Sequence, residues 1–157
     1  MNVSEMMTRE VRTCSPDDSL NSAAQLMWQN DCGCIPVVDS EGRAIGMITD
    51  RDICMAAYTQ GQPLGDMLVA SAASRVIMTM RENESLDAAE ALMQKHKIRR
   101  IPVVDADRRP VGIVSMNDLA RHAHRGGHHH DGLSPESIVR TLAAVCQPSV
   151  TLAHAAE

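Results

Sequence analysis

Two stretches of the chain carry the same succession of apolar and polar positions. From Ser19 the apolar residues Leu20, Ala23, Ala24 and Met27 recur at helical spacing, and from Ser85 the residues Leu86, Ala89, Leu92 and Met93 do the same. This predicts two amphipathic helices with Ser19 and Ser85 as N-caps. After each helix the period shortens. A β-branched run, Ile35 to Val38 or Ile101 to Val104, leads into a polar turn, Asp39-Ser40-Glu41-Gly42 or Asp105-Ala106-Asp107-Arg108. A second apolar run follows, Ala44 to Ile48 or Val111 to Val114, which completes a β-hairpin in each stretch. A second helix is predicted from Thr49 to about Tyr58 and from Ser115 to about His124, with Gly61 as a C-cap and Pro63 as a stop. With an opening strand near Thr13 and Thr79, each stretch reads as β-α-β-β-α.

The two stretches are copies. Ile35-Pro36-Val37-Val38-Asp39 recurs unchanged as Ile101-Pro102-Val103-Val104-Asp105, an offset of 101 − 35 = 66. The same offset pairs Thr13 with Thr79, Ser19-Leu20 with Ser85-Leu86, Leu26-Met27 with Leu92-Met93, Arg43 with Arg109, Gly46 with Gly112 and Asp52 with Asp118. One copy of about 60 residues has too little core to stand alone, so the expected fold class is α+β (α/β), two repeats packed with pseudo-two-fold symmetry. The division that follows is repeat 1 at 5–62, a lead-in helix and linker at 63–75, and repeat 2 at 76–124. A Gly/His linker is expected at 125–133, a C-terminal helix at 134–148 and a tail at 149–157. Asp66-Met67-Leu68 echoes Glu5-Met6-Met7 as a helical lead-in, and Ser71-Ala72-Ala73-Ser74 reads as a flexible link. Ser134-Pro135-Glu136-Ser137 has the N-cap and N1-proline pattern of a helix start.

Composition narrows the function. Aromatics are 1% of the 157 residues while Met numbers 11, so the core is aliphatic and stacking platforms for single-stranded nucleic acid are absent. A net charge of −5 opposes a broad phosphate-backbone surface. No run approaches the roughly 18 apolar residues of a membrane span, and no secretory h-region opens the chain, so a cytoplasmic location is expected, without nucleic-acid or membrane partners. Five cysteines, an odd number in a chain of this size, argue for reduced thiols rather than a disulfide framework.

Both Ile-Pro-Val-Val-Asp strands, and both endings of the form Gly-hydrophobic-hydrophobic-Thr/Ser-x-x-Asp, resemble the CBS domain family over about residues 5 to 124. The resemblance implies a tandem pair, or Bateman module, of the stand-alone bacterial type that binds adenosine nucleotides. It further implies that the carboxylate at each second-helix start faces the opening strand and the Ile-Pro strand of the other repeat. One ligand set is then Thr49 and Asp52 with Thr79, Arg99, Arg100, Ile101 and Pro102; the other is Ser115 and Asp118 with Thr13, Ser15, Cys34, Ile35 and Pro36. An ionised Asp accepts two hydrogen bonds, which suits the vicinal hydroxyls of a ribose. Read from local pattern alone, Thr49-x-x-Asp52 and Ser115-x-x-Asp118 are also close to capping boxes, which need no ligand. Only the second Ile-Pro strand has a basic approach, Lys95-His96-Lys97-Ile98-Arg99-Arg100, so a phosphorylated compound is expected with Asp52. Arg81-Glu82 stands where the first repeat has Ser15-Pro16, a departure that bears on the opening-strand contacts.

The resulting expectation is a regulatory, non-catalytic module with no obligatory cofactor. Its ligand is AMP, ADP, ATP, NAD or S-adenosylmethionine, and its partners are a second copy of itself and a regulated protein. No nucleophile–base arrangement, glycine-rich phosphate loop or zincin run supports catalysis. Two alternatives stay open: a ligand-free interaction or stress-response protein, and a thiol or metal sensor using Cys32, Cys34 and the His128-His129-His130 tract. Cys32-Gly33-Cys34 is tighter than the usual zinc spacing, and a Gly-flanked His tract also serves as plain linker.

Overall fold

The computed structural model describes residues 1–124 and 133–148. The elements follow the periodicities closely. Helix α1 (Leu20–Gln29), strands β1 (Cys34–Val38) and β2 (Ala44–Thr49) and helix α2 (Asp50–Gln60) make the first repeat. Strand β3 (Met80–Arg81), helix α3 (Leu86–His96), strands β4 (Arg100–Val104) and β5 (Pro110–Ser115) and helix α4 (Met116–His124) make the second, and α5 (Pro135–Val145) follows. Ser19 Oγ accepts from Ser22 N, and Ser85 Oγ from Ala88 N, so both predicted caps close their helices. Gly61 ends α2 with φ 62°, the left-handed conformation that glycine adopts without strain.

β1 and β2 pair antiparallel, with Cys34 opposite Thr49 and Ile35 opposite Ile48; β3, β4 and β5 lie side by side in that order. The hairpin turns are held by the strand-end aspartates. Asp39 Oδ1 accepts from the amides of Glu41 and Arg43, and Asp105 Oδ1 from those of Asp107 and Arg109, all at 2.9 Å. Each turn passes through one left-handed residue, Gly42 at φ 80° and its copy Arg108 at φ 66°. A non-glycine residue there is strained, and Arg108 is tied down by its carbonyl, which accepts from Ala44 N at 2.9 Å.

The second repeat shows the expected β-α-β-β-α order in full, and the opening strands are its shortest members. In the second repeat the strand is two residues long; in the first it shrinks to Cys14, bridged in parallel to Val37. Cys14 N donates to the Pro36 carbonyl at 3.1 Å, and Val38 N to the Cys14 carbonyl at 2.9 Å. The next residue already turns away, because Ser15 N donates to Asp18 Oδ2 at 2.8 Å.

The lead-ins also differ from expectation. Three-residue 3-10 turns stand at Val3–Glu5 and Val69–Ser71, at the repeat's own offset of 69 − 3 = 66, so Glu5 corresponds to Ser71 and the expected match of Glu5-Met6-Met7 with Asp66-Met67-Leu68 is out of register. Each lead-in pairs with the opposite copy. Asn2 bridges Ser85 and Thr8 bridges Ile113; in the mirrored pairs Leu68 bridges Ser19 and Ser74 bridges Met47. Ser71–Ser74 is therefore no free link. Ser74 exchanges two backbone bonds with Met47, at 2.9 and 3.2 Å, and the approach is so close that a Cβ on Gly46 would lie under 3.0 Å from the Ser74 carbonyl oxygen.

The chain resolves into two compact units. One comprises Thr8–Thr79 with Pro102–Ile113 and holds a core of Cys14, Leu20, Ala23, Met27, Ile35, Val37, Ile48, Ile53, Ala56, Met67 and Val69. The other comprises Met1–Met7, Met80–Ile101 and the described residues from Val114 onward, and buries Val3, Met80, Leu86, Met93, Ile101, Val114, Leu119 and Leu133. In that unit α5 packs on α3 and α4. Ser134 caps α5 with Pro135 at its first turn, as the sequence pattern predicts. The fully buried Thr141 accepts from Gln94 Nε2 at 2.6 Å, and its own proton faces Glu90 Oε1 and the Ser137 carbonyl, both at 3.0 Å.

Candidate functional site

In the Thr8–Thr79 unit the strand β2 runs straight into α2, and Thr49 is the joint. Thr49 Oγ1 donates to Asp52 Oδ2 at 2.7 Å, Thr49 N donates to the same oxygen at 2.9 Å, and Asp52 N donates back to Thr49 Oγ1 at 3.1 Å. Both bonds to the carboxylate use the same oxygen. Among the described residues no group bonds Asp52 Oδ1, so this half-buried carboxylate keeps an acceptor at a helix N-terminus. The Cys34 end of β1 lies beside it, since Cys34 pairs with Thr49 and Asp50 N donates to the Gly33 carbonyl at 3.2 Å. Ile35 and Pro36 are buried in β1, while Thr13 is exposed and Ser15 half-buried on either side of Cys14. Thr79 is half-buried just before β3, and Pro102 is buried in β4.

In the other unit Ser115 and Asp118 repeat the arrangement. Ser115 Oγ and Ser115 N donate to Asp118 Oδ2 at 2.6 and 2.8 Å, and Asp118 N donates to Ser115 Oγ at 3.3 Å. Here the second oxygen is also taken, by Arg121 Nη2, which donates to Asp118 Oδ1. The Arg99 carbonyl accepts from Met116 N at 2.9 Å, the counterpart of the Gly33–Asp50 bond, so Arg99 leads directly to the start of α4. Its guanidinium Nη2 donates to Cys146 Sγ at 3.5 Å, at the C-cap of α5. Arg100 is half-buried at the start of β4, and Ile101 is fully buried behind it.

The two expected ligand sets draw on both units, and each residue is placed within its own. The structure brings Thr49 and Asp52 together with Cys34, and Ser115 and Asp118 together with Arg99. Lys95 and Lys97 are exposed, and Lys97 has a backbone duty that sequence reasoning missed: it caps α3 in the left-handed conformation at φ 53°. Its copy Asp31, one residue past the Asn30 cap of α1, has the same left-handed backbone at φ 48°. Arg121 was also missed, although its register three residues after Asp118 marks a helical neighbour of that carboxylate.

The thiols divide by burial. Cys14 and Cys34 are buried, Cys32 is half-buried, and Cys54 and Cys146 are exposed, all reduced. Burial pushes the Cys14 thiol up to about 11, with the nearby Asp18 charge adding in the same direction, so it is a poor nucleophile at neutral pH. Among the described residues no group of three or more His, Cys, Asp or Glu is placed to hold a metal ion, and the His128–His130 tract lies outside the described residues. Among those residues no helix is long and apolar enough to cross a membrane.

Comparison with known proteins agrees with this geometry. The CBS domain family matches twice, over residues 3–58 and 69–125, copies that again start 66 residues apart. The chain is 42% identical over 118 residues to the CBS domain-containing protein YhcV of Bacillus subtilis, covering 75% of this chain and 82% of that one. It is 31% identical over 144 residues to hypoxic response protein 1 of Mycobacterium tuberculosis, covering 92% and 93%. A solved CBS domain pair in complex with methylthioadenosine and S-adenosyl-L-methionine superposes with a TM-score of 0.72 at 29% identity, covering 81% of this chain and 97% of that one.

Proposed function

Because the chain belongs to the CBS domain family and carries two copies of it in tandem, we propose that it is a regulatory, non-catalytic module that binds an adenosine nucleotide. The observation that carries this reading is the half-used carboxylate of Asp52. Its Oδ2 accepts both bonds from Thr49, while among the described residues nothing bonds Oδ1, which is left as an acceptor for a ribose hydroxyl. Thr49, Asp52, Thr79, Arg99, Arg100, Ile101 and Pro102 form the proposed contact set, in which the cationic approach to β4 suits a phosphate chain. The second set is Ser115, Asp118, Thr13, Ser15, Cys34, Ile35 and Pro36. A similar CBS pair bound to two adenosine-bearing compounds supports the ligand class. The ligand acts by preferring one conformation of the chain, and it shifts the equilibrium only as far as that preference reaches. Exposed Trp28 and Tyr58, on α1 and α2 with 89% and 82% of their surface open, support association with a second copy.

The test is a thermal melt of the full chain with AMP, ADP, ATP, NAD and S-adenosylmethionine at millimolar concentration, followed by light scattering. A ligand at about 100 times its dissociation constant adds ~2.7 kcal/mol. For a chain of this size that raises the Tm by roughly 5–10 °C. Asp52→Ala removes this shift and costs the free protein about 1 kcal/mol through the lost cap. Melts unmoved by all five compounds would sink the nucleotide reading and leave the caps as structure alone, the property of a ligand-free interaction protein.

A further inference from the structure

The two repeats keep the same hydroxyl–carboxylate cap but treat its outer oxygen differently. Asp52 Oδ1 has no partner among the described residues, and the position one helical turn further along α2 is Met55. Asp118 Oδ1 is held by Arg121, which stands at the copy of that position, since 121 − 66 = 55. The rest of the two caps matches, each carboxylate accepting the N-cap amide and the N-cap hydroxyl through its Oδ2. Asp118 thus has both oxygens engaged before any ligand arrives, whereas Asp52 has one oxygen to offer.

The geometry points to Arg121 as the residue that decides how many nucleotides one chain takes: by occupying Asp118 it closes the second set to a ribose and leaves the Asp52 set as the working one. This rests on the nucleotide reading above and specifies its stoichiometry. A ribose diol donates two hydrogen bonds to one carboxylate, and at Asp118 it competes with a guanidinium already in place. The competition is uneven because Asp118 is buried to 7% exposure while Arg121 keeps 63% of its side chain in solvent. Displacing the arginine leaves a poorly hydrated carboxylate to be satisfied by a neutral hydroxyl, which lacks the attraction between opposite full charges that the guanidinium supplies. Losing that attraction at a buried carboxylate should weaken ribose binding there by about tenfold or more. Arg121 is a specificity-determining residue acting through Asp118, and its exposed side chain makes replacement compatible with folding.

The experiment is isothermal titration of the full chain with AMP and, separately, with S-adenosylmethionine, which shares the ribose and lacks the phosphate. Wild type should take about one molecule per chain of whichever compound binds, and Arg121→Met, which copies the first repeat, should take about two. Asp52→Ala should remove the single wild-type event yet leave about one in the Arg121→Met background. The reciprocal change Met55→Arg should weaken the Asp52 event about tenfold or more. Two events per wild-type chain, or one event in both wild type and Arg121→Met with Met55→Arg unchanged, would overturn the role of Arg121 while leaving nucleotide binding intact. Silence from wild type, Arg121→Met and Met55→Arg with both compounds would remove the binding reading itself, and this inference with it.

Discussion

Replacing Gly46 with alanine tests the pairing of the second lead-in with the first repeat, on which the placement of Thr49 at the end of β2 depends. Gly46 lies in β2 opposite Val37, and its missing side chain is where the Ser74 carbonyl oxygen sits. A methyl group there would approach that oxygen closer than 3.0 Å, and the clash is with backbone, which cannot rotate aside. Relief requires Ser74 to move off β2, which breaks both its bonds to Met47. Two backbone hydrogen bonds at a net ~1 kcal/mol each give about 2 kcal/mol. Residual strain in a packed strand adds ~1 kcal/mol or more. Against this, alanine lowers the entropy of the unfolded chain by roughly 0.4–1 kcal/mol, so the net loss is about 2 kcal/mol. For a chain of this length the Tm should fall by roughly 4–8 °C. The assay is a thermal or urea melt, with Gly65→Ala as control, because a Cβ on Gly65 meets nothing within 4 Å and that substitution should be neutral or slightly stabilising. Equal stability of Gly46→Ala and wild type within about 0.5 kcal/mol would refute the reasoning.

Two further outcomes follow from buried groups. Thr141→Val keeps the shape but deprives Glu90 and Gln94 of the hydroxyl between them, so it should cost about 1–3 kcal/mol and speed hydrogen exchange in α5, whereas Thr141→Ser should retain most of both. The Cys14 thiol titrates from 9.0 when unfolded to about 11 when folded, so above pH 9 the unfolded chain releases a proton that the folded chain keeps, and rising pH favours unfolding. Urea midpoints should fall between pH 9 and 11 in the wild type and fall less steeply in Cys14→Ala; parallel curves would show that Cys14 is not the group responsible.

The elements were legible because two different periods mark them. Leu20, Ala23 and Met27 repeat at helical spacing and are buried, and the β-branched run Ile35 to Val38 makes a strand with its polar turn where expected. The repeat offset placed the opening strands near Thr13 and Thr79, but their shortness was not legible, since a single paired residue such as Cys14 has no periodicity to detect, and its strand ends in a side-chain turn from Asp18. The lead-in register was obscured by composition: Asn2 and Leu68 occupy equivalent places with no likeness, because each only supplies backbone to a bridge. The three-residue register marks Arg121 as a neighbour of Asp118, but pattern does not say that the two side chains meet on α4.

A ligand leaves its mark where the two copies differ and not where they agree. Ser, Thr and Asp at 49, 52, 115 and 118 satisfy the amides of α2 and α4 whether or not anything binds, so agreement between the repeats at these positions is accounted for by folding. The same holds for Asp39 and Asp105, which both tie their hairpin turns. Differences carry more weight where the backbone is the same in both copies. Asp31 and Lys97 share a left-handed backbone conformation, and Gly33 and Arg99 offer the same carbonyl to the next helix, so neither exchange of side chain is required by the fold. Met55 and Arg121 are a third such pair. The duplication thus serves as its own control: two nearly identical scaffolds carry different charges at matched positions, and a titration of the exchanged variants reads the effect of those charges apart from the scaffold.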